Sequence, residues 1–365
     1  MTYRMLHVLE AFAPGGMETT FLRLLQAMPR HGVSHEVLAF HDGPLREAFA
    51  GVADGVHVTS RPAGLHRLLG DGWDVVHVLF DRCAYRLAPF LLGRTDAAFV
   101  YWKGYDLAGM FRVEGDFAWT PDVTLVNAAD AALFTTPQLA ACFDAASPRT
   151  TVLGKAADIT PLTALPLAGP DTPLRILSVA NLHPRKRLGD LIAALPLVRA
   201  RVPGTELRLV GGGNPVEEAR LRQSAADLGV AHAVQFAGVQ HDIAAELAAA
   251  RVLALPSNRE GVPTVLLEAM AAGRPVVATP AGHTRSILDD GCEGYVVETG
   301  AIALLADRLV RVLSDPALAA RLGEAGRLRA QGHGTAAVAT RLDAVLRRAA
   351  AGRDHGFTHG LRLAS

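Results

Sequence analysis

Cysteine is scarce in this chain, and that excludes two classes at once. Cys83, Cys142 and Cys292 are scattered, odd in number and without paired spacing, so neither a disulfide frame nor a zinc site is written here, and reduced thiols fit better. No His-Glu-x-x-His stretch and no Asp-x-Asp pair occurs, so the usual carboxylate metal clamp is missing and no metal is expected. Net formal charge is zero, which argues against a nucleic-acid footprint. No apolar run approaches a membrane span. Met1 to Glu10 is interrupted by Arg4 and Glu10 and reads as a first strand rather than a leader peptide. These points place the chain in the cytoplasm, with no transmembrane segment; peripheral membrane contact stays open, and neutral charge gives it no support.

The length of 365 residues suggests two domains at ~150 residues each. Strand-like runs alternate with helical patterns, which argues α/β architecture with parallel sheets. In the first half the expected strands are 5–9, 35–40, 74–79, 97–102, 123–126 and 150–153. Residues 160–173 carry Pro161, Pro166, Pro170 and Pro173 and read as a linker. The second half restarts with strands at 174–180, 206–210, 233–237, 251–255, 275–279 and 294–297. The expected organisation is a first domain over 1–160, a linker over 161–173, a second domain with terminal helices over 174–351, and a flexible tail over 352–365. Two doubly wound domains of this kind offer ligand crevices at the C-terminal ends of their strands.

The most informative stretch runs from Pro256-Ser257-Asn258-Arg259-Glu260-Gly261-Val262-Pro263-Thr264-Val265 to Glu268 and on to Gly273-Arg274-Pro275. It reads as strand end, polar loop, short helix and strand. Pro263 suits the first helical position, where a missing N–H costs nothing, and Gly273 suits the stop. Glu260 lies in the loop entering the helix and Glu268 about one turn inside it. The amides of Thr264, Val265 and Leu266 open a positive helix end suited to a phosphate. One carboxylate can take a sugar hydroxyl and the other a ribose hydroxyl; solvated glutamates on an ordinary helix are the plain alternative.

This stretch resembles the donor-binding signature of the retaining GT-B glycosyltransferases known as GT4 or glycosyl transferases group 1. The pattern is Pro-Ser, then Glu-Gly-x-Pro, then a second glutamate eight positions after the first, followed by Ala-Met-Ala-x-Gly-x-Pro-Val-Val-Ala-Thr. Nearly every position is met. The resemblance implies a GT-B fold of two Rossmann-like domains facing across a cleft, acceptor-binding domain first and donor-binding domain second.

Other segments carry the resemblance further. After the first strand, Gly15, Gly16 and Glu18 match a Gly-Gly-x-Glu loop that faces the donor phosphates, although alone they read as a plain strand-to-helix turn. After the first strand of the second half, His183-Pro184-Arg185-Lys186-Arg187 places three cations where a diphosphate needs charge. Lys186 matches a family lysine. Asn181 stands where the family has an arginine, so Arg185 or Arg187 would supply that charge; a solvated basic loop is the alternative. Gly211 and Gly212, followed by Gly213, fail as a dinucleotide fingerprint because Val216 stands where the last glycine belongs; they read as backbone contact to the donor or as a turn.

Two departures from the pattern matter. Lys103 of Tyr101-Trp102-Lys103-Gly104-Tyr105-Asp106 replaces the family histidine near the reacting sugar, and Ser286 replaces a third glutamate beside His283. His7 and His77 fall in strands and read as structural; Tyr101 and Trp102 read as core. The activity implied is transfer of a sugar, hexosyl for choice, from a UDP- or GDP-sugar to a hydroxyl of a sugar, lipid-linked sugar or small product. It would proceed with retention by front-face substitution and without cofactor or metal. Glu260, Lys186 and Lys103 are the candidate catalytic residues, with Gly261, Val262, Pro263, Thr264, Val265 and Glu268 among the donor contacts. Lys103, Asn181 and Ser286 also admit a non-catalytic subunit that binds sugar nucleotide or an enzyme partner; a phosphorylase or epimerase on the same fold fits the Glu260–Glu268 pattern less well.

Overall fold

The computed structural model describes residues 2–91, 97–103, 120–143 and 149–352. The chain divides into two compact units, Met1–Ala156 with Thr335–Ser365, and Ala157–Gly334.

The first unit holds a seven-stranded parallel sheet in the order β3-β2-β1-β4-β5-β6-β7. Its strands are β1 Tyr3–Ala11, β2 Val33–His41, β3 Gly55–Val58, β4 Val75–Val78, β5 Ala98–Lys103, β6 Ala131–Phe134 and β7 Thr150–Val152. Alternate residues of β1 feed opposite cores. Met5 and Leu9 pack with the helices Gly16–Ala27 and Thr335–Gly352, while Leu6 and Val8 pack with Pro62–Leu69 and Asp81–Leu91. Burial on both faces is what makes these strands near-continuous apolar runs.

Two expectations fail here. Residues 123–126 belong to the helix Thr120–Ala128, and the strand beside β5 is β6. A four-residue apolar run does not distinguish helix from buried strand. Edge strand β3, Gly-Val-His-Val, is too short and too exposed to announce itself. The helix Thr335–Gly352 was expected in the second domain. It instead returns to the first, burying Val338, Leu342, Val345 and Leu346 against it.

The C-terminal helix also covers a buried polar chain. His7 Nδ1 lies 3.0 Å from His77 Nδ1, and His7 Nε2 lies 2.9 Å from His35 Nδ1. The three imidazoles stand on neighbouring strands β2, β1 and β4, and Trp102 stacks on His77. All three histidines are fully inaccessible to solvent.

The second unit carries a six-stranded parallel sheet in the order β10-β9-β8-β11-β12-β13. The strands are β8 Arg175–Val179, β9 Glu206–Val210, β10 Val234–Gly238, β11 Val252–Leu255, β12 Val276–Ala278 and β13 Gly294–Val296. All six fall at the positions expected along the chain. Residues 161–173 are not a free linker. Arg251 donates to the carbonyls of Pro170 and Thr172, Arg274 to Pro166, and Arg327 to Leu165. Proline suppresses helix and strand in this segment, and the guanidinium groups supply the partners its carbonyls need. The boundaries therefore fall after residues 156 and 334, not at 160 and 351. The expected tail lies outside the described residues from 353 onward.

Candidate active site

Strand order locates the crevice in each unit. In the second sheet the order reverses between β8 and β11, and a doubly wound sheet opens at such a switch point, beyond the carboxyl ends of its strands. The loop after β8 carries Arg185, Lys186 and Arg187; the loop after β11 carries Glu260 to Pro263. Two motifs distant in sequence thus meet at one place.

Their meeting is direct. Lys186 Nζ donates to Glu260 Oε1 at 2.6 Å, with both side chains largely withdrawn from water. The Asn258 amide donates to the Arg185 carbonyl at 3.0 Å, which fixes one loop on the other. A third loop, after β12, closes behind them. Gly282 has φ +58°, and a methyl there would stand 2.2 Å from the Glu260 carbonyl oxygen, so only glycine lets this loop cross so closely. The His283 amide donates to the Gly261 carbonyl at 3.0 Å. Ser286 turns its hydroxyl onto the His283 carbonyl at 2.7 Å, so it closes its own turn.

The helix after Glu260 spans Thr264–Ala271. Pro263 is its N-cap residue rather than its first helical one, and no side chain caps it. The Leu266 amide donates to the Pro263 carbonyl at 3.1 Å, so that amide is not open to a ligand, contrary to expectation. Gly273 ends the helix as expected, at φ +69°. Its amide reaches the Met270 carbonyl and the Arg274 amide the Ala269 carbonyl, a complete Schellman stop. Thr264, Val265 and Glu268 are half-buried, Val262 likewise, and Gly261 is exposed.

One of the candidate cations is already paired. Arg187 spends its guanidinium on Asp190, with Nε–Oδ2 at 2.8 Å and Nη2–Oδ1 at 3.0 Å, while Arg185 is exposed. Gly211, at φ +138°, needs to be glycine because a methyl would stand 2.1 Å from the Ala180 carbonyl oxygen. The Gly212 carbonyl in turn accepts from the Leu182 amide at 2.8 Å. These glycines are thus accounted for by packing on the loop of exposed Asn181. Asp190 and Gly282 were missed. The first is legible as an i,i+3 partner of Arg187; the second has no signal beyond being glycine.

Lys103 is buried in an ion pair. It lies at the end of β5, 1% exposed, with Nζ 2.6 Å from Asp81 Oδ2; Tyr101 donates to the other carboxylate oxygen at 2.6 Å. The carboxylate, the phenol and the nearby Phe143 ring surround its ammonium. Gly104 and Asp106 lie outside the described residues.

The first sheet reverses its order between β1 and β4. Gly15 caps the helix Gly16–Ala27 there, with no side-chain cap bond. Glu18 folds back over Gly15, its Oε2 2.2 Å from where a methyl would be, while Gly16 is exposed with open space around it.

The family description "Glycosyl transferases group 1" matches residues 166–329. This segment belongs to the glycosyl transferases group 1 family. The glycosyl transferases group 1 segment holds both Lys186 and Glu260. A GDP-mannose-dependent alpha-(1-6)-phosphatidylinositol monomannoside mannosyltransferase of Mycolicibacterium smegmatis is 39% identical over 161 residues, 42% of each chain. The lipopolysaccharide core biosynthesis glycosyltransferase LpsE of Rhizobium meliloti is 36% identical over 156 residues, 43% of this chain and 44% of that protein. The chain thus matches about two fifths of the length of these curated relatives.

Among solved structures, Anabaena HepE in complex with UDP superposes with a TM-score of 0.74 at 21% identity, over 95% of this chain and all of that one. The lipopolysaccharide outer core galactosyltransferase WaaB gives 0.73 at 18%, over 94% and 99%. The fold is GT-B, as the sequence suggested. Among the described residues no group of three or more His, Cys, Asp or Glu side chains is placed to hold a metal ion, and no helix is long and apolar enough to cross a membrane.

Proposed function

We propose that this protein is a retaining, metal-independent glycosyltransferase that takes a UDP- or GDP-sugar and passes the sugar to an acceptor hydroxyl. The observation that carries this reading is the Lys186–Glu260 contact at the switch point of the second sheet. A cation and a carboxylate held together there suit a diphosphate and a sugar respectively. Lys186 stabilises the charge that grows on the departing diphosphate. Glu260 takes sugar hydroxyls, and Glu268 the ribose. Exposed Arg185 is the cation left to supplement Lys186, because Arg187 is held by Asp190. The matched relatives that use GDP-mannose, and HepE with bound UDP, support a nucleotide diphosphate sugar as donor. The same relatives support a sugar or lipid-linked acceptor, and the cytoplasm suits such a donor.

A second reading, a non-catalytic subunit that binds sugar nucleotide, is favoured by one observation: the lysine at the family's histidine position is buried in an ion pair. The distinguishing experiment follows UDP release from UDP-glucose and GDP release from GDP-mannose without acceptor, for the parent and Glu260→Gln. Slow release by the parent, lost in the variant, is expected. Binding without release at any protein concentration would favour the second reading, and neither binding nor release would remove the first.

A further inference from the structure

Arg187 is the one non-glycine residue with a positive φ among the described residues, at φ 50°, ψ 36°. A side chain carrying a Cβ avoids this left-handed region, which glycine enters freely. Strain of this kind persists where the surroundings hold it in place, and such places cluster at functional sites. The hold here is explicit. The Arg187 guanidinium forks onto both oxygens of Asp190, its amide donates to the Pro184 carbonyl, and its carbonyl accepts from the Asp190 amide. Gly300 closes the flank, where a methyl would stand 3.3 Å from Arg187 Nη2.

The reversal at Arg187 joins the 3₁₀ turn Pro184–Lys186 to the helix Leu188–Arg201. Lys186 is the last residue before it. The conformation at Arg187 therefore sets the direction of the Lys186 side chain relative to the helix Leu188–Arg201. That direction brings Nζ to Glu260, across from another loop.

We propose that Arg187 is a positioning residue for Lys186 and not a contact to the donor: its fork to Asp190 locks the left-handed turn that aims the Lys186 ammonium at the site. This rests on reading Lys186 as the diphosphate contact. The two roles make opposite demands at position 187. A phosphate ligand needs the guanidinium, and glycine there is as harmful as alanine. A turn lock needs the left-handed conformation, which glycine adopts without any fork. Once glycine is present, Asp190 has nothing left to hold.

The test compares Lys186→Ala, Arg187→Ala, Arg187→Gly, Asp190→Asn and the double variant Arg187→Gly/Asp190→Asn. Each is read for melting temperature, for UDP and GDP affinity, and for acceptor-free release from UDP-glucose and GDP-mannose. Arg187→Ala and Asp190→Asn are expected to lose about tenfold in release rate, the scale of the left-handed penalty. Arg187→Gly should exceed Arg187→Ala by about the same factor, and the double variant should recover what Asp190→Asn lost. Recovery at a melting temperature shared by the four 187 and 190 variants separates positioning from general folding. Equal loss in Arg187→Gly and Arg187→Ala, with Lys186→Ala also impaired, would overturn the inference while leaving the Lys186 reading standing. Parent-like release in both Arg187→Ala and Asp190→Asn would do the same. Full activity in Lys186→Ala would remove that reading first, and the inference with it.

Discussion

Lys186 and Glu260 lie 74 positions apart in the chain and 2.6 Å apart in space. With only 14% and 9% of their side chains exposed, each is the other's neutralising partner. An interaction that strengthens as the diphosphate departs shows in turnover more than in affinity. Lys186→Ala should therefore lower turnover by roughly a hundredfold, the lower end of what one such contact contributes. Glu260→Gln should lower turnover while leaving the nucleotide dissociation constant near that of the parent. The double variant should lose less than the product of the two single losses, since the partners touch. Turnover of parent rate in Glu260→Gln would remove its role at the sugar.

Glu268 offers a contrast on the same helix. If it holds the ribose, Glu268→Ala weakens binding of UDP or GDP by about tenfold or more, the range of a hydrogen bond to a charged group. Calorimetric titration with the free nucleotide checks this, and an unchanged dissociation constant counts against the assignment.

How much of this was legible depends on where the information is local. The Glu260-to-Gly273 stretch combines loop, helix start and Schellman stop in one run, and the structure follows it apart from a one-position shift of Pro263 and the Leu266 amide bonded to its carbonyl. The second sheet was legible because its six strands are separated by clear helices and glycine turns. The first was less so. Residues 123–126 and 131–134 are both short apolar runs, and only pairing beside β5 decides which becomes the strand. The return of the helix Thr335–Gly352 to the first unit depends on contacts far back in the chain, such as Arg341 with Leu153, 188 positions earlier, and Arg347 with His31, 316 positions earlier, which no local pattern encodes. The pairing of Lys103 was illegible for a similar reason: its partner, Asp81, opens a helix after a different strand.

That buried pair carries a stability prediction. Removing the ammonium alone leaves the Asp81 carboxylate uncompensated in the interior, a loss that typically costs about 3–5 kcal/mol. Lys103→Met should shift urea unfolding of the first unit strongly, and Lys103→Met/Asp81→Asn should recover part of the loss. A Lys103→Met protein as stable as the parent would contradict the pairing.

The histidine chain predicts how stability depends on pH. Burial, with the neighbouring imidazoles and Arg30, pushes His7 well below its usual range. Burial and Arg30 lower His35 to about 4, and burial with His35 lowers His77 to about 3. The folded state therefore binds fewer protons here than the unfolded chain below pH 6.5. The stabilisation is complete above that pH and is lost progressively as pH falls toward 4 and then 3. Urea midpoints between pH 7.5 and pH 4.5 should fall on the acid side, and His77→Phe should flatten the fall. A midpoint that rises on acidification would reverse the sign and refute this account of the core.

Transfer is expected to keep its rate in excess EDTA, because Lys186, with Arg185 beside it, meets the charge of the diphosphate. Complete loss that added Mg²⁺ or Mn²⁺ restores would show otherwise.

Titration of UDP and GDP into the parent and Lys186→Ala, followed by isothermal calorimetry, tests the central claim most directly. Saturable one-site binding of at least one nucleotide by the parent, weakened in a Lys186→Ala protein of unchanged melting temperature, is the expected result. Binding of equal strength to both proteins, or to neither, would contradict a donor site built around Lys186 and Glu260.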